Sequence, residues 1–443
     1  MYTFTGRLKI FSIALMIVGV LGIGYGFLSA PNSTQEVEQL LKQEHQDHLA
    51  HGGSSVEHDA MTAADHQEHV AHVYHQLTNK PWSAIYVAAM FFFMIAIGVL
   101  AFYAIQHAAQ AGWSPVLFRV MEGINAYVLP GGIIIFVLLL LSSTHFNHMF
   151  VWMADGIADP AHANYDAVVA NKTGYLNIPF FLIRAFIFIG GWILYSTLTR
   201  KYSYQQDIET VYDMQILLHK KIVKASAAFL VFYIITESVS SWDWIMSLDP
   251  HWYSTLFGWY VFSSSFVSGI TVITLITIYL KSKGLLDFVN KSHLQDLAKF
   301  MFAISIFWGY LWFSQFMLIW YANIPEEVTY FIQRINDYNL PFFGMLVLNL
   351  ILPLVILMSA DHKKINWIVV FIGFVILFGH YLDFFNMIMP ATVGDRWFIG
   401  IAEIGSVMFF LGLFIYVVFN ALSKHPLIAK NTPLIEESKQ FHY

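Results

Sequence analysis

Ten runs of roughly 20 apolar residues recur along this chain, and about that many residues are needed to cross the hydrocarbon core of a bilayer. Lipid offers no partner to backbone N–H and C=O groups, so each run must satisfy its own peptide bonds as a helix. The expected fold is therefore an all-α integral membrane protein with ten transmembrane helices. The runs fall near Ile10–Leu28, Trp82–Ala108, Pro130–Phe150, Leu176–Leu198, Ile222–Met246, Trp252–Leu280, Phe300–Tyr321, Leu340–Met358, Ile365–Phe385 and Trp397–Leu422. A composition of 57% hydrophobic and 12% charged residues agrees with that class.

Cytoplasmic loops retain Lys and Arg, so the loops orient the chain. With a cytoplasmic amino terminus, Arg7, Lys9, Arg119, Arg200, Lys201, Lys220, Lys221, Lys224, Lys281, Lys283, Lys291, Lys299, Lys363, Lys364, Lys424, Lys430 and Lys439 fall inside. Only Lys42, Lys80, Lys172, Arg334 and Arg396 fall outside. Both termini are expected in the cytoplasm, with an even number of spans. The first run has the basic flank of a signal peptide and a Leu28-Ser29-Ala30 step resembling a cleavage site. It is expected to stay as an anchor helix.

The organisation read from the chain is an anchor (1–30), a polar His-rich outer segment (31–80), two four-helix bundles (81–250 and 251–396), and a last helix with a cytoplasmic tail (397–443). The outer segment carries His45, His48, His51, His58, His66, His69, His72 and His75. Their spacing would permit Zn, Ni or Cu, but a solvated acidic flap accounts for them equally, and no metal site is assigned. The chain contains no cysteine, which excludes disulfides, iron–sulfur ligation, c-type haem attachment and thiol chemistry. Any redox centre this chain serves is non-covalent or lies in another polypeptide.

A short internal repeat supports the two bundles. Asn177-Ile178-Pro179-Phe180-Phe181 opens the fourth run and Asn339-Leu340-Pro341-Phe342-Phe343 opens the eighth, each with Pro near the helix start. Units four spans apart share one orientation, which makes this a parallel repeat. That match sets Arg184 opposite Leu346, while the ends of the fifth and ninth runs, Trp244-Ile245-Met246 and Met387-Ile388-Met389, set Glu237 opposite His380 and Asp243 opposite Asn386.

Charge at bilayer depth costs at least about 2.5–3.5 kcal/mol on insertion scales, so the intramembrane ionisable residues are the candidate site. They are Arg184, Glu237, Asp243, His380, Asp383 and Glu403, with His145 and His148 at the outward end of the third run. Arg184 lies roughly 12 Å and Glu237 roughly 15 Å below the outer surface at the helical rise, which makes them expected partners. A buried ion pair that only fixes packing is the alternative. In the functional reading, His or Glu removes protons from a quinol and Phe180, Phe181 and Trp244 flank its ring. Ser264, Ser268, Thr271 and Thr274 form a stripe on the sixth run. It could hold proton-passing waters, although close packing of small residues suffices to explain it. His380, Asp383 and Met387 share one helix face near the depth of Glu403, and a bis-imidazole haem is not expected, since His380 has no matching histidine.

The most specific string runs from Thr236-Glu237-Ser238 through Trp242-Asp243-Trp244 and Asp249-Pro250-His251-Trp252 to Gly258-Trp259-Tyr260. It reads as an outer hairpin with a tight Asp-Pro turn and an interfacial tryptophan belt. With this string and the Asn177–Arg184 helix start, the chain from about Trp82 to Leu422 resembles the NrfD-like, polysulfide-reductase membrane-subunit family, which includes subunits of bacterial alternative complex III. The resemblance implies a quinol:electron-acceptor (cytochrome c) oxidoreductase with two such membrane subunits, an iron–sulfur subunit and multi-haem cytochrome c subunits. A terminal oxidase and lipids are further partners it admits; nucleic acid is not expected. Quinone or menaquinone would be the bound cofactor, with haem c and iron–sulfur clusters confined to the partners. This chain would then be a structural and proton-conducting subunit with no catalytic residue of its own. Two other readings stay open: a secondary transporter built from parallel repeats, and a purely structural membrane scaffold.

Overall fold

The computed structural model describes residues 2–50 and 63–442. Ten helices among them are long and apolar enough to cross a membrane: Gly6–Leu28, His66–Ala108, Pro115–Ser143, Ile178–Ile208, Tyr212–Leu248, Phe257–Ser282, Lys291–Ala322, Asn339–Leu357, Asn366–Val393 and Ile401–Leu422. They correspond one to one with the ten apolar runs and are numbered first to tenth below. No strand occurs among the described residues. The chain is thus an all-helical, multi-pass membrane protein.

The second and sixth spans are almost wholly buried, whereas most of the others keep a broad apolar face outward. The second span packs on the third, fifth, sixth, ninth and tenth, and the sixth packs on the fifth, seventh and ninth. Helix neighbours close two rings, second–third–fourth–fifth and sixth–seventh–eighth–ninth, while the first and tenth lie side by side against the second.

Small residues make these crossings. A Cβ on Gly98 would sit 2.2 Å from the Ser265 carbonyl oxygen, so the second and sixth spans touch backbone to backbone. Between the first and tenth spans, a Cβ on Gly22 would lie 2.9 Å from Gly405 Cα, the close approach that small-residue seams permit in lipid. Along the sixth span, Ser268, Thr271 and Thr274 donate to the carbonyls of Ser264, Val267 and Ile270 at 2.7, 2.7 and 2.8 Å. Each hydroxyl is satisfied within its own helix, which lets it pack at the crossing without a polar partner from a neighbour.

Asn177 caps the fourth span, accepting from the Phe180 N–H at 3.0 Å. Its side-chain amide also donates to the Thr173 carbonyl four residues back, and Asn339 donates to Ile335 in the same way, at 3.0 and 3.2 Å. The eighth span is broken by a π turn at Val347–Ile351 that carries the buried Asn349.

On the histidine-rich side, the expected division at residue 80 falls inside one helix. Ala63–Ala108 runs without a break, with Pro81 inside it, and its outer part pairs with the helix Thr34–Ala50 through Val37, Leu41, Val70 and Val73. Arg396 ties this hairpin down by an ion pair to Glu44 at 2.5 Å. His51, His58 and the side chain of His48 lie outside the described residues. No group of three metal-ligating side chains occurs among those described.

Candidate functional site

Arg184 does not pair with Glu237. It forms a bidentate ion pair with Asp243, Nε to Oδ2 at 2.6 Å and Nη2 to Oδ1 at 2.9 Å. Helix side chains lean toward the amino terminus, and the fourth span begins at the histidine-rich end, so the guanidinium reaches toward that end. Asp243 lies six residues, about 9 Å, further along the fifth span than Glu237 and meets it there. Nη1 donates to the Tyr175 carbonyl at 3.1 Å, and the rings of Tyr175 and Phe180 lie 4.1 and 4.2 Å from the guanidinium. The Tyr175 hydroxyl also bonds Asp243, and its burial pushes that phenol above its ordinary range. Every strong donor and acceptor of the pair is engaged, which is what makes such a pair tolerable when buried.

Glu237 is left alone. It is buried, and its Oε1 has no hydrogen-bond partner among the described residues; neither has the neighbouring Tyr233 hydroxyl. Its carboxyl borders a cavity of about 180 Å³ between the second, fifth and sixth spans, walled by Ile105, Leu230, Trp259 and Phe262. A carboxyl oxygen left without a partner in such surroundings is costly to bury.

In the second ring, Asp383 accepts from the Tyr260 hydroxyl and from Trp308 Nε1, the latter at 2.8 Å. His380 Nδ1 lies 2.8 Å from Ser264 Oγ and 3.5 Å from Asp383, while Nε2 has no partner among the described residues. Ser264 therefore belongs to the histidine cluster, and Ser268 and Thr271 do not. A buried arginine is present here too. Arg334, from the helix Pro325–Asn336, donates to the carbonyls of Asn386 and Tyr330 at 3.0 and 2.9 Å and lies 3.3 Å over the Tyr330 ring. Burial lowers its affinity for a proton. Asn386 is the residue that the sequence comparison set against Asp243; an arginine meets the side chain of the one and the carbonyl of the other, each from a different element.

Glu403 caps the tenth span through Oε2, which accepts from the Gly400 N–H at 2.8 Å, and its Oε1 has no partner among the described residues. It borders an apolar groove of about 580 Å³ between the second, sixth, ninth and tenth spans. Tyr381, whose hydroxyl also has no hydrogen-bond partner among the described residues, borders the same groove. From Glu403 to Val418 the groove follows about 22 Å of helix.

The expected aromatic walls of a quinone pocket at the outer end of the first ring are filled instead. Phe181 and Trp244 are fully buried against Trp152 and Trp192, with ring centroids 5.3 and 5.8 Å apart, and Phe180 lies against Arg184. A cavity of about 510 Å³ does lie at that end, but Lys172, Tyr175, Trp242 and Trp252 line it.

His145 and His148 lie in the loop after the third span, and no recorded contact links them to Arg184 or Glu237. His145 has φ 61° and its Nε2 is 3.7 Å from Asp155; the His148 ring is 4.9 Å from that of His75. Burial, then the charge of His145, holds the His148 imidazole below its ordinary range, while Asp155 opposes this. A depressed histidine stabilises the fold above the unfolded value near 6.5 and loses that contribution as pH falls. Protection factors for amide exchange over 145–150, corrected for the intrinsic pH dependence of exchange, should accordingly be lower at pH 5 than at pH 7.5; equal protection factors would show that this contact carries no linkage.

One cluster was not read from the sequence. At the lysine-rich end, Arg119 pairs with Glu122 and with Asp207, the latter at 2.5 Å, and donates to Ser203 Oγ at 3.0 Å. The Tyr103 hydroxyl donates to Glu122 at 3.0 Å, and the buried His107 lies between the Tyr103 and Phe118 rings. Glu122 three residues after Arg119, among Val, Met and Phe, was the available signal. Compared with known proteins, the chain matches no family model and no curated sequence.

Proposed function

We propose that this chain is the second NrfD-like membrane subunit of a quinol:electron-acceptor oxidoreductase of the alternative complex III type. It holds no redox centre of its own and takes part in proton movement across a bacterial inner membrane, with both termini cytoplasmic. The observation that carries this reading is a pair of buried carboxyls, Glu237 and Glu403, each with an unpartnered oxygen bordering a cavity. Buried acids of this kind are costly in lipid and are usually kept for ion or proton pathways. The Arg119, Glu122 and Asp207 cluster places further buried ionisable groups at the opposite, lysine-rich end of the first ring. His380, Asp383 and Ser264 form a second set midway, and the Glu403 groove has the length and the two polar groups that an isoprenoid quinone would need.

The two rings of neighbouring spans and the matched Asn177 and Asn339 bonds support a parallel repeat of two four-helix bundles. The bias of lysine and arginine to one end supports the orientation.

The Arg184–Asp243 pair favours the scaffold reading for that end of the molecule, because a saturated ion pair needs no further role. Two experiments separate the readings. A mild-detergent pull-down of the tagged chain should bring down c-type haem, seen in a reduced-minus-oxidised spectrum, together with an iron–sulfur subunit. Glu237→Gln should then abolish proton movement beyond the two protons that each quinol oxidation itself releases, with the complex intact. A colourless chain recovered alone would remove the respiratory assignment, and unchanged proton stoichiometry would remove Glu237 from the path.

A further inference from the structure

A basic pocket lies where the fourth span leaves the bilayer on the lysine-rich side. It has a volume of about 540 Å³ and is lined by Thr197, Arg200, Lys201, Tyr204, His425 and Lys430, with Asp207 at its edge. The Tyr204 and His425 rings stack 3.5 Å apart and form one wall, and the Arg200 guanidinium lies 5.9 Å from the Tyr204 ring. Arg200 Nε is buried with no hydrogen-bond partner among the described residues. Asp207 does not neutralise the pocket, because its carboxylate is already held by Arg119 at 2.5 Å and by the Lys430 N–H at 2.9 Å. Burial and the charges of Arg119 and Arg200 keep the His425 imidazole below its ordinary range. The pocket is therefore positive, through Arg200, Lys201 and Lys430.

Its position identifies the anion. The apolar run of the fourth span ends at Leu198, two residues before Arg200. Ile187 and Leu194 are exposed on the lipid side, and seven-residue steps carry the same helix face from Ile187 through Leu194 to Lys201. An apolar track thus descends into a cationic pocket at the membrane boundary.

We propose that this pocket binds the phosphate of an anionic glycerophospholipid, with the acyl chains lying along Ile187 and Leu194. Arg200 and Lys201 meet the phosphate from the helix, and Lys430 closes on it from the C-terminal segment. The proposal needs the chain to span a bilayer and is independent of the respiratory reading.

The test is native mass spectrometry of the full-length protein in mild detergent, titrated with phosphatidylglycerol or phosphatidylcholine of matched chain length. Each interfacial cation contributes about a fivefold gain in affinity, so the triple variant Arg200→Gln, Lys201→Gln, Lys430→Gln should bind phosphatidylglycerol about 100-fold more weakly, with phosphatidylcholine binding unchanged. The single variant Lys430→Gln, changed on an exposed side chain, should lose about fivefold and covers the case in which the triple variant does not fold. Equal binding of the two lipids to the wild type would overturn the proposal. So would displacement of phosphatidylglycerol by inorganic phosphate at millimolar concentration, which would mark a site for a free anion.

Discussion

Arg184→Ala is expected to destabilise the protein by about 3–5 kcal/mol, the largest effect of any single side-chain deletion considered for this chain. The substitution leaves Asp243, which is fully buried, without the two hydrogen bonds that compensate its charge. It also empties the space between the Tyr175 and Phe180 rings. Thermal unfolding in detergent, followed by tryptophan fluorescence, would measure the loss. The double variant Arg184→Met, Asp243→Leu should regain most of it, because removing both charges also removes their desolvation cost. If the double variant is stable and the assembled complex still turns over, the pair serves packing alone. A single variant as stable as wild type would contradict the buried bidentate geometry.

The second large effect is expected at the crossing of the second and sixth spans. In Gly98→Val the new Cβ would lie 2.2 Å from a backbone oxygen, Ser265 O, which cannot rotate aside. Overpacking a well-filled core costs roughly 1–3 kcal/mol, and more where two backbones must separate. These two spans form the centre of the molecule, so the variant should fail to give a monodisperse species on size exclusion. Gly24→Ala is the control: nothing lies within 4 Å of its added Cβ, and it should behave as wild type. Normal yield and elution of the valine variant would mean that the two helices are further apart than described.

What could be read from the chain divides along a physical line. The ten spans were legible because length and hydropathy alone decide whether a segment is fit to cross lipid. The partner of Arg184 was not legible, because depth was counted from Cα positions. An arginine side chain adds several ångströms in the direction its helix dictates, enough to pass over Glu237 and reach Asp243. Arg334 was read as a loop residue on the outer side, and only the folding of Pro325–Asn336 against the ninth span buries it. Glu122 was missed because the third run was placed at Pro130–Phe150, whereas the third span already begins at Pro115.

The helix Ala63–Ala108 has a mechanical consequence. At 1.5 Å per residue its 46 residues measure about 69 Å, of which roughly 27 Å stands beyond Pro81 on the histidine-rich side. The same rod continues through the middle of the molecule against the third, fifth, sixth, ninth and tenth spans. Its weakest joint is at Pro81, which has no N–H to bond the carbonyl one turn back. A load applied to the projecting arm is thus delivered through Pro81 to the element that touches most of the others, and the Arg396–Glu44 and His75–His148 contacts share it with the loops beside the arm.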